Sequence, residues 1–208
     1  MERDREYDID SVAKLRALIG TPHPLTPLKV FEALDETTIA FIRRSPFLVL
    51  STADADGNQD SSPKGDGPGF VAVEDAKTLL IPERKGNKLM FGLQNILANP
   101  RVGLLFMIPG TNETLRVNGT AELTSDPRVC ERLTGRGAAA LLAIRVTVHE
   151  CFFHCAKAYL RAQLWKPETW PPRHAISFGK MLAAKAGLGD DQAGQIDRAI
   201  QQDYDSNL

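Results

Sequence analysis

The 208-residue chain is poor in cysteine, tryptophan and tyrosine, with three, two and three of each, and it has no excess charge of either sign. Each shortage excludes something. Three cysteines, Cys130, Cys151 and Cys155, are too few and too odd in number for a disulfide scaffold, so free thiols in a reducing compartment are expected. A net charge of −1 argues against a general nucleic-acid binder and leaves any basic function to a local patch. No run approaches the 18 or more apolar residues of a membrane span, and the opening MERDREYDID alternates charge where a secretory signal has an apolar stretch. The expectation is a cytoplasmic protein with no membrane partner. What is present, 43% hydrophobic and 25% charged residues, is the composition of an ordinary globular chain.

Periodicity divides the chain into three parts: a helical extension over 1–45, a β-rich domain over 46–165 and an extension over 166–208 that is Pro-rich and then helical. In the first, Val12, Leu15, Leu18 and Ile19 recur at helical spacing, the TPHPLTP stretch interrupts them, and Leu34 to Ile42 resumes. From Phe47 short apolar runs alternate with turn residues. Phe47 to Ala53, a partner through Ser61 and Ser62 beyond the Asp56-Gly57 turn, Phe70 to Val73, Thr78 to Ile81, Val102 to Ile108, Thr114 to Leu123 and Leu141 to Phe153 make about seven strands. One amphipathic helix, with Leu89, Leu93, Ile96 and Leu97 on a face, interrupts them and stops at Asn99-Pro100. Helical patterns return in AKAYLRAQLW and from about Asp191.

The segment Leu80-Ile81-Pro82-Glu83-Arg84-Lys85-Gly86-Asn87-Lys88 places cations and an amide between a strand and the start of that helix. Arg84 can fork onto phosphate oxygens, Lys85 adds a point charge, and the helix start supplies unpaired N–H groups and a positive dipole end. A solvated basic turn is the competing reading. Gly65-Asp66-Gly67-Pro68-Gly69 precedes a strand, not a helix, so it reads as a strand-linking turn and not a dinucleotide loop. His149, Cys151, His154 and Cys155 are close in sequence, yet on a strand Cys151 and Cys155 stand about 13 Å apart and His154 faces away, which speaks against one metal ion. No G-x-S-x-G elbow is present, so serine hydrolysis has no support. Trp165 and Trp170 either stack on a flat ligand or cap the core.

The order of SSPKGDGPGF, TLLIPERKGNKL, ANPRVGLLF and TLRVNGTAEL, with SPF, PGFV and HCAKA around them, resembles the pyridoxamine 5'-phosphate oxidase superfamily of FMN-binding split β-barrels over roughly Ser45 to Trp165. The resemblance implies a mainly β fold with peripheral helices: a six-stranded antiparallel split barrel, dimeric, with two FMN molecules at the subunit interface. It implies that Arg84 and Lys85 hold the FMN phosphate, with Asn87 and Lys88 as second contacts. Ser61, Ser62, Pro63 and Lys64 fall on the strand beside the isoalloxazine and ribityl chain. Thr114, standing where the family more usually has glutamine, and Arg116 match a strand approaching from the partner chain or the far side, and Trp165 corresponds to a C-terminal aromatic near the flavin. The grouped arginine, histidine and aspartate that hold substrate phosphate in true pyridoxamine phosphate oxidases are missing; Arg173-His174 stands alone.

The expectation is a homodimeric FMN-dependent oxidoreductase acting on a small molecule, the flavin carrying the chemistry and the protein supplying orientation and electrostatics. No side chain is assigned a catalytic role and no metal is expected. The alternatives are a non-catalytic flavin- or haem-binding module on the same barrel, with His149, His154 and Cys155 as haem contacts, a true pyridoxamine 5'-phosphate oxidase, and a deazaflavin-dependent reductase.

Overall fold

A computed structural model describes residues 7–207. Seven antiparallel strands form one sheet: β1 (Phe47–Ala53), β2 (Gln59–Gly65), β3 (Ala72–Asp75), β4 (Thr78–Glu83), β5 (Arg101–Met107), β6 (Thr114–Thr124) and β7 (Leu142–His154), in the spatial order β2-β1-β5-β6-β7-β4-β3. The count agrees with the strand spacing and corrects the six strands that the resemblance implies. The additional strand is β3, a four-residue edge piece that pairs with β4 alone and carries a register irregularity between Val73 and Asp75.

Alternation at period two builds the core. Leu48 and Leu50 of β1, Val102, Leu104 and Phe106 of β5, Leu115 and Val117 of β6, and Ile144, Val146 and Val148 of β7 all point into one cluster. On β7 the inward set then changes parity, because Cys151 is also buried. The cause is a bulge: Asn118 pairs with Glu150 and Gly119 with Val148, leaving His149 as the extra residue. Gly119 is obligatory there, since a Cβ would lie 2.0 Å from the Thr147 carbonyl oxygen. The freed edge of β7 takes a bridge from the N-terminal segment, Phe31 pairing with Cys151.

β4 is buried on both faces. Leu79 and Ile81 join the main core, whereas Leu80 packs with Val129, Cys130, Leu133 and Ala143 beneath α4 (Pro127–Arg132), a short helix that the sequence reading missed.

The helices α1 (Val12–Ile19) and α2 (Glu36–Arg44) form the N-terminal extension; α2 begins with a capping box between Asp35 and Thr38 and buries Ile42. The lone inter-strand helix is α3 (Phe91–Ala98). Its docked face is narrower than the apolar pattern suggests: Ile96 is buried, Leu97 is 76% exposed, and Leu89 precedes the helix. After β7 come α5 (Lys157–Ala162), α6 (Phe178–Ala186) and α7 (Asp190–Ser206). The sequence reading located α5 and α7 but not α6, whose close contact with α7 depends on Gly179 lying against the Ala193 backbone. No helix among the described residues is long and apolar enough to cross a membrane.

Beyond the short β3 pairing, the outer edge of β4 is free and faces the outer edge of β2 across a split. Side chains span it: Lys64 of β2 is ion-paired with Glu83 of β4, and Asp66 just after β2 is ion-paired with Arg84 just after β4 at 3.1 Å. Each of the two edges carries a proline, Pro63 and Pro82, which has no N–H to donate to a ladder.

Candidate functional site

The split opens into a cavity of about 380 Å³ between β2, the 84–90 loop and the first turn of α3. Ser61, Ser62, Pro63, Lys64, Arg84, Asn87 and Lys88 line it together, so seven residues distant in sequence share one recess. Lys85 lies next door, in a smaller recess of about 340 Å³ formed with Ser62, Lys64, Arg84 and Asn87. The remaining three expected site residues lie elsewhere. Thr114 is buried opposite His154, Arg116 stands over the Phe152 ring at 5.7 Å, and Trp165 stacks on Tyr159 while its indole Nε1 donates to the Thr111 carbonyl at 2.8 Å.

The cavity is built from both strand edges and a strained loop. Lys88 and Met90 have positive φ, 64° and 56°, which sharply turns the chain from β4 into α3. Helix α3 then stands on the β1–β2 hairpin, with the Asn95 amide donating to the Thr52 hydroxyl at 3.0 Å and Gly92 resting beside Asp60 and Ser62. Its first residues, Phe91, Gly92 and Leu93, line the recess, and their N–H groups have no partner within the helix.

The cations differ in their commitments. The Lys64–Glu83 pair leaves only 16% and 21% of the two side chains exposed. The Arg84 Nε donates to Asp66 Oδ2 at 3.1 Å, its Nη2 lies 3.1 Å from the same oxygen, and its Nη1 donates to the Ala138 carbonyl at 3.4 Å. Among the described residues, neither Lys85 nor Lys88 has a carboxylate at ion-pair distance. The two adjoining recesses therefore join two uncompensated ammonium groups and two paired cations to an apolar lip of Leu89, Met90, Phe91 and Leu141, each more than half exposed. Cations and spare N–H groups suit a phosphate; the apolar lip suits a flat ring system that a further surface covers.

Sequence reasoning did not select Glu83, Asp66 or the turn at Gly135 as site residues. Glu83 adjoins Arg84 and Asp66 lies two residues after Lys64, which was the available signal, but which acid meets which cation depends on the crossing of the split.

A second cluster gathers around the end of β7. His154 Nδ1 is buried without a hydrogen-bond partner, and burial, followed by the charges of Arg116 and Lys29, holds its pKa below the ordinary histidine value. His149 lies against the Thr120 hydroxyl at 3.3 Å, and Cys151 donates to the Ala33 carbonyl, so these two are already engaged. Burial also pushes the Cys151 thiol up, with the charges of Asp35 and Glu150 adding to it. All three cysteines are free, Cys130 and Cys151 buried and Cys155 exposed. Among the described residues no group of three or more His, Cys, Asp or Glu is placed to hold a metal ion.

The family model for pyridoxamine 5'-phosphate oxidase matches residues 34–155, which contain all seven strands and the cavity. The chain also has partial similarity to solved structures. HupZ of Group A Streptococcus is 19% identical with a TM-score of 0.48, covering 58% of this chain and 93% of its own. A candidate pyridoxamine 5'-phosphate oxidase from Lactobacillus delbrueckii is 26% identical at 0.44, covering 59% and 95%, and an FMN-binding protein from Syntrophomonas wolfei is 10% identical at 0.44, covering 56% and 81%. No curated protein matches the chain.

Proposed function

The chain belongs to the pyridoxamine 5'-phosphate oxidase family, and on that premise we propose that it is a homodimeric, cytoplasmic FMN-binding oxidoreductase acting on a small molecule. The observation that carries this reading is the convergence of Ser61, Ser62, Pro63, Lys64, Arg84, Asn87 and Lys88 on one cavity, with Lys85 beside it.

The residues present suit the cofactor at both ends. Arg84, Lys85 and Lys88, with the start of α3, hold the phosphate by charge and N–H donation. Ser61, Ser62 and Asn87 provide hydroxyl and amide groups for ribityl hydroxyls and ring-edge atoms. Leu50, Leu93 and Leu142 back the recess with apolar surface and exclude water. The flavin, when bound, supplies hydride or electron transfer, so the chain need only bind, orient and shield.

What one copy leaves open supports the dimer reading. Its apolar lip is uncovered, and Thr114, Arg116 and Trp165 sit outside both the cavity lined by seven of the expected residues and the adjoining recess that holds Lys85. A second copy that brings its own Thr114–Arg116 strand against the lip completes the set and covers the exposed apolar side chains.

An absorbance spectrum of the purified protein, with mass identification of the chromophore that heat releases, tests the reading. Flavin peaks and released FMN support it, and Arg84→Gln with Lys85→Gln must then weaken FMN rebinding at least tenfold. A colourless protein that FMN titration cannot saturate refutes it, and selective binding of a deazaflavin reassigns the cofactor. Haem binding has one observation in its favour, the unpartnered buried His154 Nδ1. A Soret band on haem addition that His154→Gln abolishes and the Arg84/Lys85 double substitution preserves is its distinguishing result.

A further inference from the structure

Resting on the FMN reading, we propose that Asp66 is the positioning residue of Arg84: its carboxylate fixes the guanidinium so that the N–H groups it leaves over are aimed for the cofactor's phosphate. Two segments distant in sequence converge on this carboxylate, and its own loop adds a third contact. From just after β4, Arg84 brings Nε and Nη2 to Oδ2, both at 3.1 Å. From the loop after β2, the Gly67 N–H donates to Oδ1 at 2.8 Å. From the turn after α4, Arg136 Nε reaches Oδ1 at 3.6 Å. The Asp66 side chain is 10% exposed and has both oxygens occupied, so it is held as firmly as it holds.

The donor arithmetic leaves Arg84 competent. Of five guanidinium N–H groups, one donates to Asp66 and one to the Ala138 carbonyl, with Nη2 held 3.1 Å from the same Asp66 oxygen, so N–H groups of both Nη1 and Nη2 remain for a phosphate. Without Asp66 the same arginine has more free donors but no fixed direction, and ordering its long side chain must be paid when the ligand binds.

The turn beneath the pair is shaped for it. A Cβ at Gly135 would lie 2.3 Å from Arg84 Nη2 and 2.5 Å from Asp66 Oδ2, so any larger residue pushes the ends of both side chains out of this arrangement. Gly135 and Ala138 close a two-residue hairpin by exchanging both backbone hydrogen bonds, and its central residues, Arg136 and Gly137, have φ of 47° and 82°. An arginine in the left-handed region is an uncommon choice for such a turn. Here it aims Nε at Asp66.

Titration of the full chain with FMN and with riboflavin, which lacks the phosphate, tests the proposal in wild type, Asp66→Asn, Gly135→Ala, Arg84→Gln and the Asp66→Asn/Arg84→Gln double variant. Asp66→Asn and Gly135→Ala are each expected to raise the FMN Kd roughly tenfold and leave the riboflavin Kd unchanged. The double variant is expected to bind FMN as Arg84→Gln does, because Asp66 acts through that arginine. Tighter FMN binding by Asp66→Asn makes the carboxylate a competitor of the phosphate and overturns the proposal. Equal losses for FMN and riboflavin make its role merely structural, and additive losses in the double variant separate it from Arg84; either overturns it while the FMN reading stands. A wild-type chain that binds neither flavin overturns the FMN reading and the proposal together.

Discussion

Replacing Glu83 by glutamine should destabilise the protein because Lys64 then keeps a mostly buried charge without its counter-ion. The pair joins β2 to β4 where no backbone ladder runs, with 16% and 21% of the side chains exposed. Breaking a fully buried pair from one side costs roughly 3–5 kcal/mol, whereas an exposed pair is worth about 0–1 kcal/mol, so this intermediate case predicts roughly 1–3 kcal/mol. For a chain of this size each kcal/mol shifts Tm by about 2–4 °C, giving a fall of about 2–12 °C. Replacing Lys64 by methionine as well removes the stranded charge, so the double variant should be more stable than the sum of the two single losses predicts. Thermal and urea unfolding of wild type, both single variants and the double variant, without added flavin, supply the cycle. A Glu83→Gln Tm within 1 °C of wild type, or strictly additive losses, would falsify the view that this pair tethers the two edges.

Gly119→Ala should be among the most damaging single-methyl additions, because the new Cβ meets a backbone oxygen at 2.0 Å that cannot move without undoing the bulge. A loss of about 3 kcal/mol or more is expected by urea unfolding, and a loss below about 1 kcal/mol removes the close-approach argument. His154 supplies an acid-side dependence: its folded pKa is depressed, so between about pH 6.5 and its folded value the unfolded state binds the extra proton, and stability is lost as pH falls through that window. His154→Gln should flatten the wild-type fall in Tm between about pH 7.5 and pH 5.5; an unchanged slope rules out this residue as its source. Iodoacetamide should alkylate Cys155 alone in the native protein, since Cys130 and Cys151 are buried, and mass-mapped modification of Cys151 before unfolding contradicts the β7 register.

Short apolar runs bounded by turn residues made the strands legible: β1, β5 and β6 by alternation, β4 as a continuous apolar run, and the polar β2 by the Asp56-Gly57 turn that precedes it. Strand order was not legible, since pairing β4 with β7 depends on contacts between segments about sixty residues apart. Helix α4 escaped notice because PRVCER has too few residues to show a period, and α6 because its buried positions, Gly179 and Ala183, are not apolar enough to mark a stripe. The phosphate-type residues were legible as chemistry, cations before a helix. Their restraint was not: in the sequence Arg84 appears free to fork onto a ligand, whereas in the folded chain Asp66 has already taken one of its edges.

The same two prolines that offer no N–H at the open edges of the sheet also line the recesses between them. Were Pro63 and Pro82 able to donate, the outer edges of β2 and β4 could zip together and the recess would be filled by backbone hydrogen bonds. Instead the edges remain apart, and their polar side chains cross the gap: lysine to glutamate in one direction, aspartate to arginine in the other. An exposed pair of sheet edges is ordinarily an invitation to aggregate, and here charge and proline blunt both of them. The groups that protect the open edges, Lys64, Arg84, Glu83 and Asp66, are therefore also the groups that line the recesses. Edge protection and the proposed anion recognition draw on one set of residues, at the point where the sheet fails to close.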